Sequence, residues 1–255
     1  MEYEITIFKN GNTKAPGPEM FYLNDWDKEY TLYTYLFVIK GYGQTILIDT
    51  GCKEVERINK MLDRAFNGKI SFEIPKNETI EAIIKNGKIN PLSVDYVFIS
   101  HLHHDHVGNV DLFPNAKVVL SKRGWEEYLK MNRPYYYDEI LFPSEQIKFI
   151  SSLKNNKRIL VDNEKEIIPG IKAFWVGGHT PCCMAVEVST AKGPVIFTSD
   201  VSFLIENAKD NRPIGLFYNL WECFEAYKKI NERSGIIITS HDPSILDSLY
   251  KNARI

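Results

Sequence analysis

The chain has 255 residues, of which 44% are hydrophobic and 25% are charged, and its formal net charge is −2. This composition excludes an intrinsically disordered chain, and the small net charge gives no broad basic field of the kind that binds nucleic acid. The longest apolar runs have the length of a strand and fall short of the roughly 20 residues that cross a bilayer. We therefore expect one domain over residues 1–255, with no nucleic-acid or membrane partner.

The N-terminal sequence and the cysteines indicate the compartment. "MEYEITIFKNGNT" lacks a basic segment followed by an apolar run, so it resembles a first strand more than a signal peptide. The cysteines have neither C-x-x-C spacing nor the density of a secreted disulfide scaffold, and they stand at Cys52, Cys182, Cys183 and Cys223. We expect a cytoplasmic protein whose thiols are reduced and serve packing.

The first half of the chain alternates predicted strands and helices. β-branched and aromatic residues predict strands at 2–8, 33–40 and 44–49. The stretch from Gly41 to Gly43 predicts that the last two form a hairpin. Helical spacing of apolar residues predicts a helix over 54–66, and another should start at about Glu78 behind an asparagine cap. "VDYVFIS" at 94–100 is typical of a buried strand.

The second half continues the mixed pattern. It predicts strands at 116–121, 172–176, 184–188, 194–199 and 235–240, and helices at 123–131, 219–233 and 243–252. The helix over 219–233 carries Cys223, Tyr227 and Ile230 on one stripe, which we assign to core packing. The aromatic segment "RPYYYDEILFP" at 133–143 is either a surface hydrophobic loop or a lid.

A histidine cluster follows the buried strand. "HLHHDH" at 101–106 holds four of the six histidines of the chain. His101 and His103 can reach one cation, while Asp105 and His106 turn toward a second. A purification tag would be terminal and uninterrupted, whereas this run follows a strand and contains a carboxylate. The segment therefore predicts a metal site.

Three further residues of metal-ligand type stand where predicted strands end. They are His179 in "AFWVGGHTP", Asp200 in "PVIFTSD" and His241 in "GIIITSHDP". A single histidine at a strand end is more often a capping or a hydrogen-bonded buried side chain. Coincidence at four strand ends instead favours one shared site on one edge of a layered β core.

Together with "DTG" at 49–51, these motifs resemble the metallo-β-lactamase superfamily over about residues 30–245. The resemblance implies an α/β (α+β) fold, built as a four-layer αββα sandwich with a binuclear site. It implies one metal on His101, His103 and His179, the other on Asp105, His106 and His241, a bridge at Asp200, and Asp49 as the residue that orients a ligand histidine. Two divalent ions would supply a metal-bound hydroxide at neutral pH, with Asp105 and Asp200 as catalytic carboxylates. Zinc is the expected metal, and iron or manganese are the alternatives.

Within the superfamily, the chain is similar to the N-acyl homoserine lactonases. The similarity lies in an aromatic N-terminal segment ("YLNDWDKEYT"), "SHLHHDHVGN", "IPGIKAFWVGGHTP" and "RPIGLFYNLWECFEAYKKI". It implies a hydrolase that opens a small-molecule lactone or a related carboxylic ester, with Trp26, Phe203 and Gly215 in the substrate pocket. The sequence leaves the oligomeric state open between a monomer and a homodimer. Two departures stand out. "HTPCC" replaces "HTPGH", and Phe203 replaces a tyrosine whose hydroxyl is thought to assist the substrate carbonyl.

Other members of the superfamily fit less well. Zinc β-lactamases have a cysteine at the position of Asp200, and flavodiiron proteins have a glutamate at that of His103. Glyoxalase II enzymes add a C-terminal helical domain, whereas only residues 242–255 follow His241 here. Three alternatives stay open: a thioesterase of the glyoxalase II type, a mononuclear iron enzyme of the sulfur dioxygenase type, and a binding protein without activity. The resemblance assigns no role to His104, which either faces solvent or lines the pocket.

Overall fold

The computed structural model describes residues 2–66, 70–130 and 141–246. Its strands are β1 Glu4–Pro16, β2 Glu29–Gly41, β3 Gln44–Ile48, β4 Phe72–Glu73, β5 Tyr96–Phe98, β6 Lys117–Ser121, β7 Arg158–Val161, β8 Glu164–Ile168, β9 Ile171–Trp175, β10 Met184–Thr190, β11 Gly193–Phe197 and β12 Ile236–Ile238. Its α-helices are α1 Gly17–Met20, α2 Val55–Phe66, α3 Ile80–Lys85, α4 His104–Val107, α5 Lys122–Leu129, α6 Ser144–Ser152, α7 Ile205–Lys209 and α8 Leu220–Asn231.

The strands form two sheets. The first has the order β4-β1-β2-β3-β5-β6-β7, and the second has the order β12-β11-β10-β9-β8. In the first sheet, β3, β5, β6 and β7 run parallel, whereas β1 and β2 pair antiparallel to their neighbours. In the second sheet only β11 and β12 pair in parallel. Because β5, β11 and β12 lead into ligand-bearing segments, this topology brings those segments to one edge.

Three apolar cores lie between the successive layers of the fold. Between the sheets, Phe37 and Phe98 of the first sheet pack with Phe197 of the second. The outer face of the first sheet is covered by side chains such as Trp125 of α5. On the outer face of the second sheet lies Tyr227 of α8. The expected four-layer αββα sandwich is therefore confirmed.

The structure confirms the predicted hairpin and corrects two boundaries. Tyr42 (φ 52°) and Gly43 (φ 76°) form a two-residue turn between β2 and β3, and positive φ at both positions suits a hairpin. The first strand extends to Pro16, past a register shift between Lys9 and Asn12. Helix α3 is capped by Thr79, whose Oγ1 accepts from the Ala82 N–H, so the expected asparagine cap near Glu78 is wrong.

Two other predicted segments fall partly outside the described residues. Of the aromatic segment at 133–143, only 141–143 are described, and of the helix expected over 243–252, residues 247–252 are not. The stripe on α8 does pack into the core, where Cys223, Tyr227 and Ile230 are buried. Among the described helices, none has the length and apolar character required to span a membrane.

Candidate metal centre

The histidine cluster lies in the turn that follows β5. His103 has extended backbone angles (φ −73°, ψ 156°) immediately before the short helix α4, which carries Asp105 and His106. The Thr50 N–H and the Thr50 hydroxyl both donate to the carbonyl of His106, at 2.7 and 2.9 Å. The Asn109 amide donates to the Thr50 carbonyl at 2.9 Å. The segment after β3 thus fixes the backbone of the cluster.

Seven side chains of metal-ligand type converge from four strand ends. They form one group of His101, His103, His179 and Asp200, and a second group of Asp105, His106 and His241. Within each group the potential ligand atoms lie within 4.8 Å of one another. His179 is partly buried and the other six are buried. The structure therefore brings together every residue that the sequence assigned to the metals.

Asp200 lies between the two groups. Its Oδ2 is 3.5 Å from His101 Nε2 and 3.3 Å from His241 Nε2. Its Oδ1 is 3.2 Å from His106 Nε2. One carboxylate thus contacts histidines of both groups, which is the geometry a bridging ligand needs.

Unsatisfied polar atoms provide a test of whether metals fit. Among the described residues, His101 Nε2, His106 Nε2 and Asp200 Oδ1 are buried and have no partner in hydrogen-bond geometry, although the last two lie 3.2 Å apart. Leaving such atoms unpaired costs about 1–3 kcal/mol each, so native structures rarely contain several together. Imidazole nitrogens and carboxylate oxygens are good ligands of divalent transition metals. The residues present therefore fit a two-metal centre.

Hydrogen bonds from outside the groups orient three of the ligand rings. His106 Nδ1 donates to Asp49 Oδ2 at 2.8 Å, and His241 Nδ1 donates to the Tyr33 carbonyl at 2.9 Å. His179 Nδ1 donates to the carbonyl of Leu216. Each bond places a proton on Nδ1, so Nε2 is the nitrogen that would bind a metal. Asp49 therefore occupies the orienting position that the sequence assigned to it.

The electrostatics favour the metal-binding protonation states of His101, His103 and Asp200, whereas His106 is held as a cation by its carboxylate neighbours. Burial lowers the pKa values of His101 and His103 well below the ordinary value, so both rings are neutral. Burial also disfavours charge on His106, but the carboxylates of Asp200 and Asp105 raise its pKa well above the ordinary value. Although burial opposes ionisation of Asp200, neighbouring imidazoles, His106 foremost, hold its pKa well below the usual range. The carboxylate is therefore ionised.

An apolar cavity of about 330 Å³ opens onto both groups. Five of the ligands, His103, Asp105, His179, Asp200 and His241, form part of its lining. Its other walls are mostly apolar and include Met20, Leu32, Leu62, Phe72, Phe142 and Phe217. A small molecule in this cavity would place a polar group at the metal centre and its hydrocarbon part against the walls.

Of the three residues predicted for the pocket, only Phe203 lines the cavity. Phe203 lines the cavity, and its ring centroid lies 5.5 Å from those of His179 and His241. Gly215 is not itself in the lining, although its neighbour Leu216 is. Trp26 is 68% exposed on the segment between α1 and β2, and it does not line the cavity. Its side chain therefore lies outside the pocket that the sequence assigned to it.

His104 lines the cavity, which is one of the two alternatives left by the sequence. Its ring packs edge-on against Phe72 at 5.1 Å, and its Nδ1 lies 3.1 Å from Asp105 Oδ1. The vicinal thiols are free and buried, and neither belongs to a metal group. Cys183 Sγ instead lies 3.3 Å from the hydroxyl of Thr180.

Sequence reasoning missed three contributions to the site. The carbonyl groups of Tyr33 and Leu216 orient ligand rings, and a carbonyl leaves no mark in a sequence because every residue has one. Glu19 lines the cavity, and the one available signal was an acid between apolar residues in "GPEMFY".

Known proteins share both the sequence and the fold. The sequence profile of the Metallo-beta-lactamase superfamily matches residues 30–241. An N-acyl homoserine lactonase of Bacillus cereus is 27% identical over 189 residues, which are 73% of this chain and 70% of that protein. An N-acyl homoserine lactonase of Azorhizobium caulinodans is 25% identical over 187 residues, which are 69% of this chain and 68% of that protein. The expected similarity to these lactonases is confirmed.

Solved structures share this fold at lower sequence identity. An N-acyl homoserine lactone hydrolase, with N-hexanoyl-L-homoserine bound at its catalytic metal centre, matches with a TM-score of 0.82 at 20% identity and covers 100% of both chains. A dizinc quorum-quenching lactonase matches with a TM-score of 0.69 at 18% identity, over 95% of this chain and 88% of that one. Profile, fold and ligand geometry agree, and this chain belongs to the metallo-β-lactamase superfamily.

Proposed function

We propose that this protein is a binuclear metal-dependent hydrolase that opens the ester bond of a lactone or a related carboxylic ester. The observation that carries the proposal is the pair of ligand groups that share Asp200 at the wall of an apolar cavity. The relatives named as lactonases support the substrate class. Zinc is the first choice of metal because the ligands are nitrogen and oxygen atoms and a structural neighbour is a dizinc enzyme, with iron or manganese as alternatives.

The proposed assignment divides the ligands between two sites. His101, His103 and His179 would hold one ion, Asp105, His106 and His241 the other, and Asp200 both. When bound, two divalent cations lower the pKa of water toward neutrality and polarise the carbonyl that the water attacks.

The remaining steps depend on side chains of this chain. Hydrolysis adds water to the carbonyl carbon, breaks the bond to the ring oxygen and moves one proton from the water to the leaving alkoxide. Asp105 and Asp200 are the carboxylates of the ligand groups, and we assign them the transfer of this proton. Phe72 and Phe142 bind the hydrocarbon part of the substrate. Phe203 has no donor to offer the carbonyl oxygen.

Turnover of a substrate panel tests this function. Protein loaded separately with zinc, manganese and iron would be assayed on a lactone, a carboxylic ester and a thioester of matched chain length. We expect the lactone and the carboxylic ester to be hydrolysed, and Asp200→Asn to abolish their hydrolysis. Preference for the thioester would instead support the glyoxalase II type. Oxygen consumption by protein with one iron would support the dioxygenase type, and metal binding without any turnover would support a binding protein.

A further inference from the structure

Glu19 places a carboxylate on the wall of an otherwise largely apolar cavity. It belongs to α1, and its half-buried side chain lines the cavity next to that of Met20. No residue in the described ranges forms a hydrogen bond or an ion pair with this carboxylate. The one lysine in the lining, Lys14, forms an ion pair with Glu29 at 2.7 Å instead. The charge of Glu19 thus has no partner among the described residues.

The backbone around Glu19 is fixed relative to the metal centre. The Gly215 N–H donates to the Glu19 carbonyl at 2.8 Å, and the Tyr22 N–H donates to the Pro213 carbonyl at 2.8 Å. A Cβ atom on Gly215 would lie 1.7 Å from the Pro18 carbonyl oxygen, so only glycine permits this contact. The residue after Gly215 is Leu216, whose carbonyl holds the His179 ring. Glu19 and a ligand histidine are therefore held by one short segment.

The carboxylate is ionised but poorly solvated. Burial raises the pKa of Glu19 to about 6. The carboxylate is therefore ionised in most molecules at pH 7 and in nearly all of them at pH 8. A charge on an apolar wall is costly unless a partner compensates it. Among the described lining residues, the other ionisable groups are Lys14, which is paired, the phenol of Tyr218, and side chains in or beside the metal groups, which are His103, His104, Asp105, His179, Asp200 and His241. A cationic group on the substrate would supply the missing partner.

We propose that Glu19 is a specificity-determining residue that binds a positively charged nitrogen on the part of the substrate remote from the ester. This inference rests on the proposed function, because it assumes that the ester carbonyl lies at the metal centre. It narrows the substrate class from apolar lactones and esters to those that carry an ammonium group on their chain. The neighbouring Met20 would contact the methylene groups that lead to it.

Three aryl esters of equal length test the proposal. The para-nitrophenyl esters of aminohexanoate, heptanoate and adipate end in an ammonium, a methyl and a carboxylate group. With zinc-loaded protein at pH 8, we expect kcat/KM to be about tenfold higher for the ammonium ester than for the methyl ester. Glu19→Gln should abolish this preference by lowering kcat/KM for the ammonium ester toward that for the methyl ester. Lys14→Met, a change at the paired charge of the same lining, should retain the preference. Equal preference in wild type and Glu19→Gln would overturn the proposal.

A binding measurement separates this inference from the proposed function. Calorimetric titration with hexylammonium and with hexanol requires no turnover. Binding of hexylammonium that is about tenfold tighter than that of hexanol, and that Glu19→Gln removes, would support the role of Glu19 even if no ester were hydrolysed. Ester hydrolysis together with equal binding of the two probes would refute the role of Glu19 and leave the hydrolase function intact. Thermal unfolding of Glu19→Gln checks that the variant is folded.

Discussion

Asp49 Oδ2 lies 2.8 Å from His106 Nδ1, and both side chains are buried. The same carboxylate accepts two hydrogen bonds from Ser100, one from its N–H and one from its hydroxyl, each at 2.8 Å. Asp49 follows β3 and Ser100 follows β5, so a single side chain joins two strand ends and fixes a metal-ligand ring. The orientation of the His106 ring therefore depends on Asp49, which lies outside both candidate ligand groups.

We expect Asp49→Asn to weaken metal binding about 10- to 100-fold while the fold is retained, because the amide keeps the shape but loses the charge that orients His106. Competition with a chelator measures the affinity. Asp95→Asn is a matched control, since Asp95 Oδ2 accepts from the Thr45 N–H at 2.8 Å at the other end of the same two strands, away from the metal groups. Equal losses in the two variants would show that the effect is structural.

The metal content follows from the position of Asp200 between the groups. Protein purified without chelator should hold close to two transition-metal ions per chain, because seven ligands exceed what one tetrahedral site uses. Asp200→Ala should lose at least one ion, since the side chain contacts His101 of one group and His106 of the other. Elemental analysis of both proteins gives the counts. A single ion in fully loaded wild type would contradict the binuclear assignment.

The candidate ligands could be predicted from the sequence because each belongs to a recognisable motif that follows a strand. The four-layer fold could be predicted from the resemblance of these motifs to the metallo-β-lactamase superfamily. Trp26 could not be placed, because its exposure depends on how the segment after α1 lies on the surface, which no local pattern encodes. The cavity charge of Glu19 was missed for a similar reason, since Gly215 contributes a backbone N–H that fixes it from a distant part of the chain. Tertiary contacts of this kind determine which side chains line the pocket.

The vicinal cysteines should not bind metal. Cys183 lies near the Thr180 hydroxyl, and Cys182 packs with Trp125 in the apolar core on the outer face of the first sheet. Replacement of both cysteines by alanine should therefore leave the metal content at the wild-type value, as measured by elemental analysis. Loss of one full equivalent from the folded double variant would show that a thiol is a ligand.

Buried Cys223 should make the fold sensitive to alkali. Burial raises its pKa to about 12, above the value of 9.0 for an exposed thiol, so the thiol contributes stability that is complete below pH 9 and declines as the pH rises toward 12. The contribution lost between pH 8 and pH 10 is about 1 kcal/mol. Urea unfolding at the two pH values should show a smaller decline for Cys223→Ala than for wild type. Identical declines would exclude this thiol as the cause.

Phe203 stands on the cavity wall, at a position where the resemblance to the lactonases implies a tyrosine, and its ring approaches those of His179 and His241. A phenyl ring cannot donate a hydrogen bond, so the carbonyl oxygen lacks one donor that would strengthen as negative charge develops. The loss of one such donor typically costs about 2.7–4 kcal/mol in the transition state. Opening of acyl-homoserine lactones by the wild type should therefore be weak, whereas aryl esters, which have a better leaving group, should need the donor less.

Phe203→Tyr adds a single hydroxyl group, and we expect it to raise kcat on a lactone by up to about 100-fold with a smaller change in KM. The aryl ester should gain much less. Phe217→Tyr is the matched control, because Phe217 also lines the cavity but packs edge-on against Tyr22 at 5.1 Å. Both kinetic constants would be measured for the three proteins on one lactone and one aryl ester. If the wild type already opens acyl-homoserine lactones rapidly and the tyrosine at 203 changes nothing, then another group donates to the carbonyl oxygen, and position 203 does not limit the reaction.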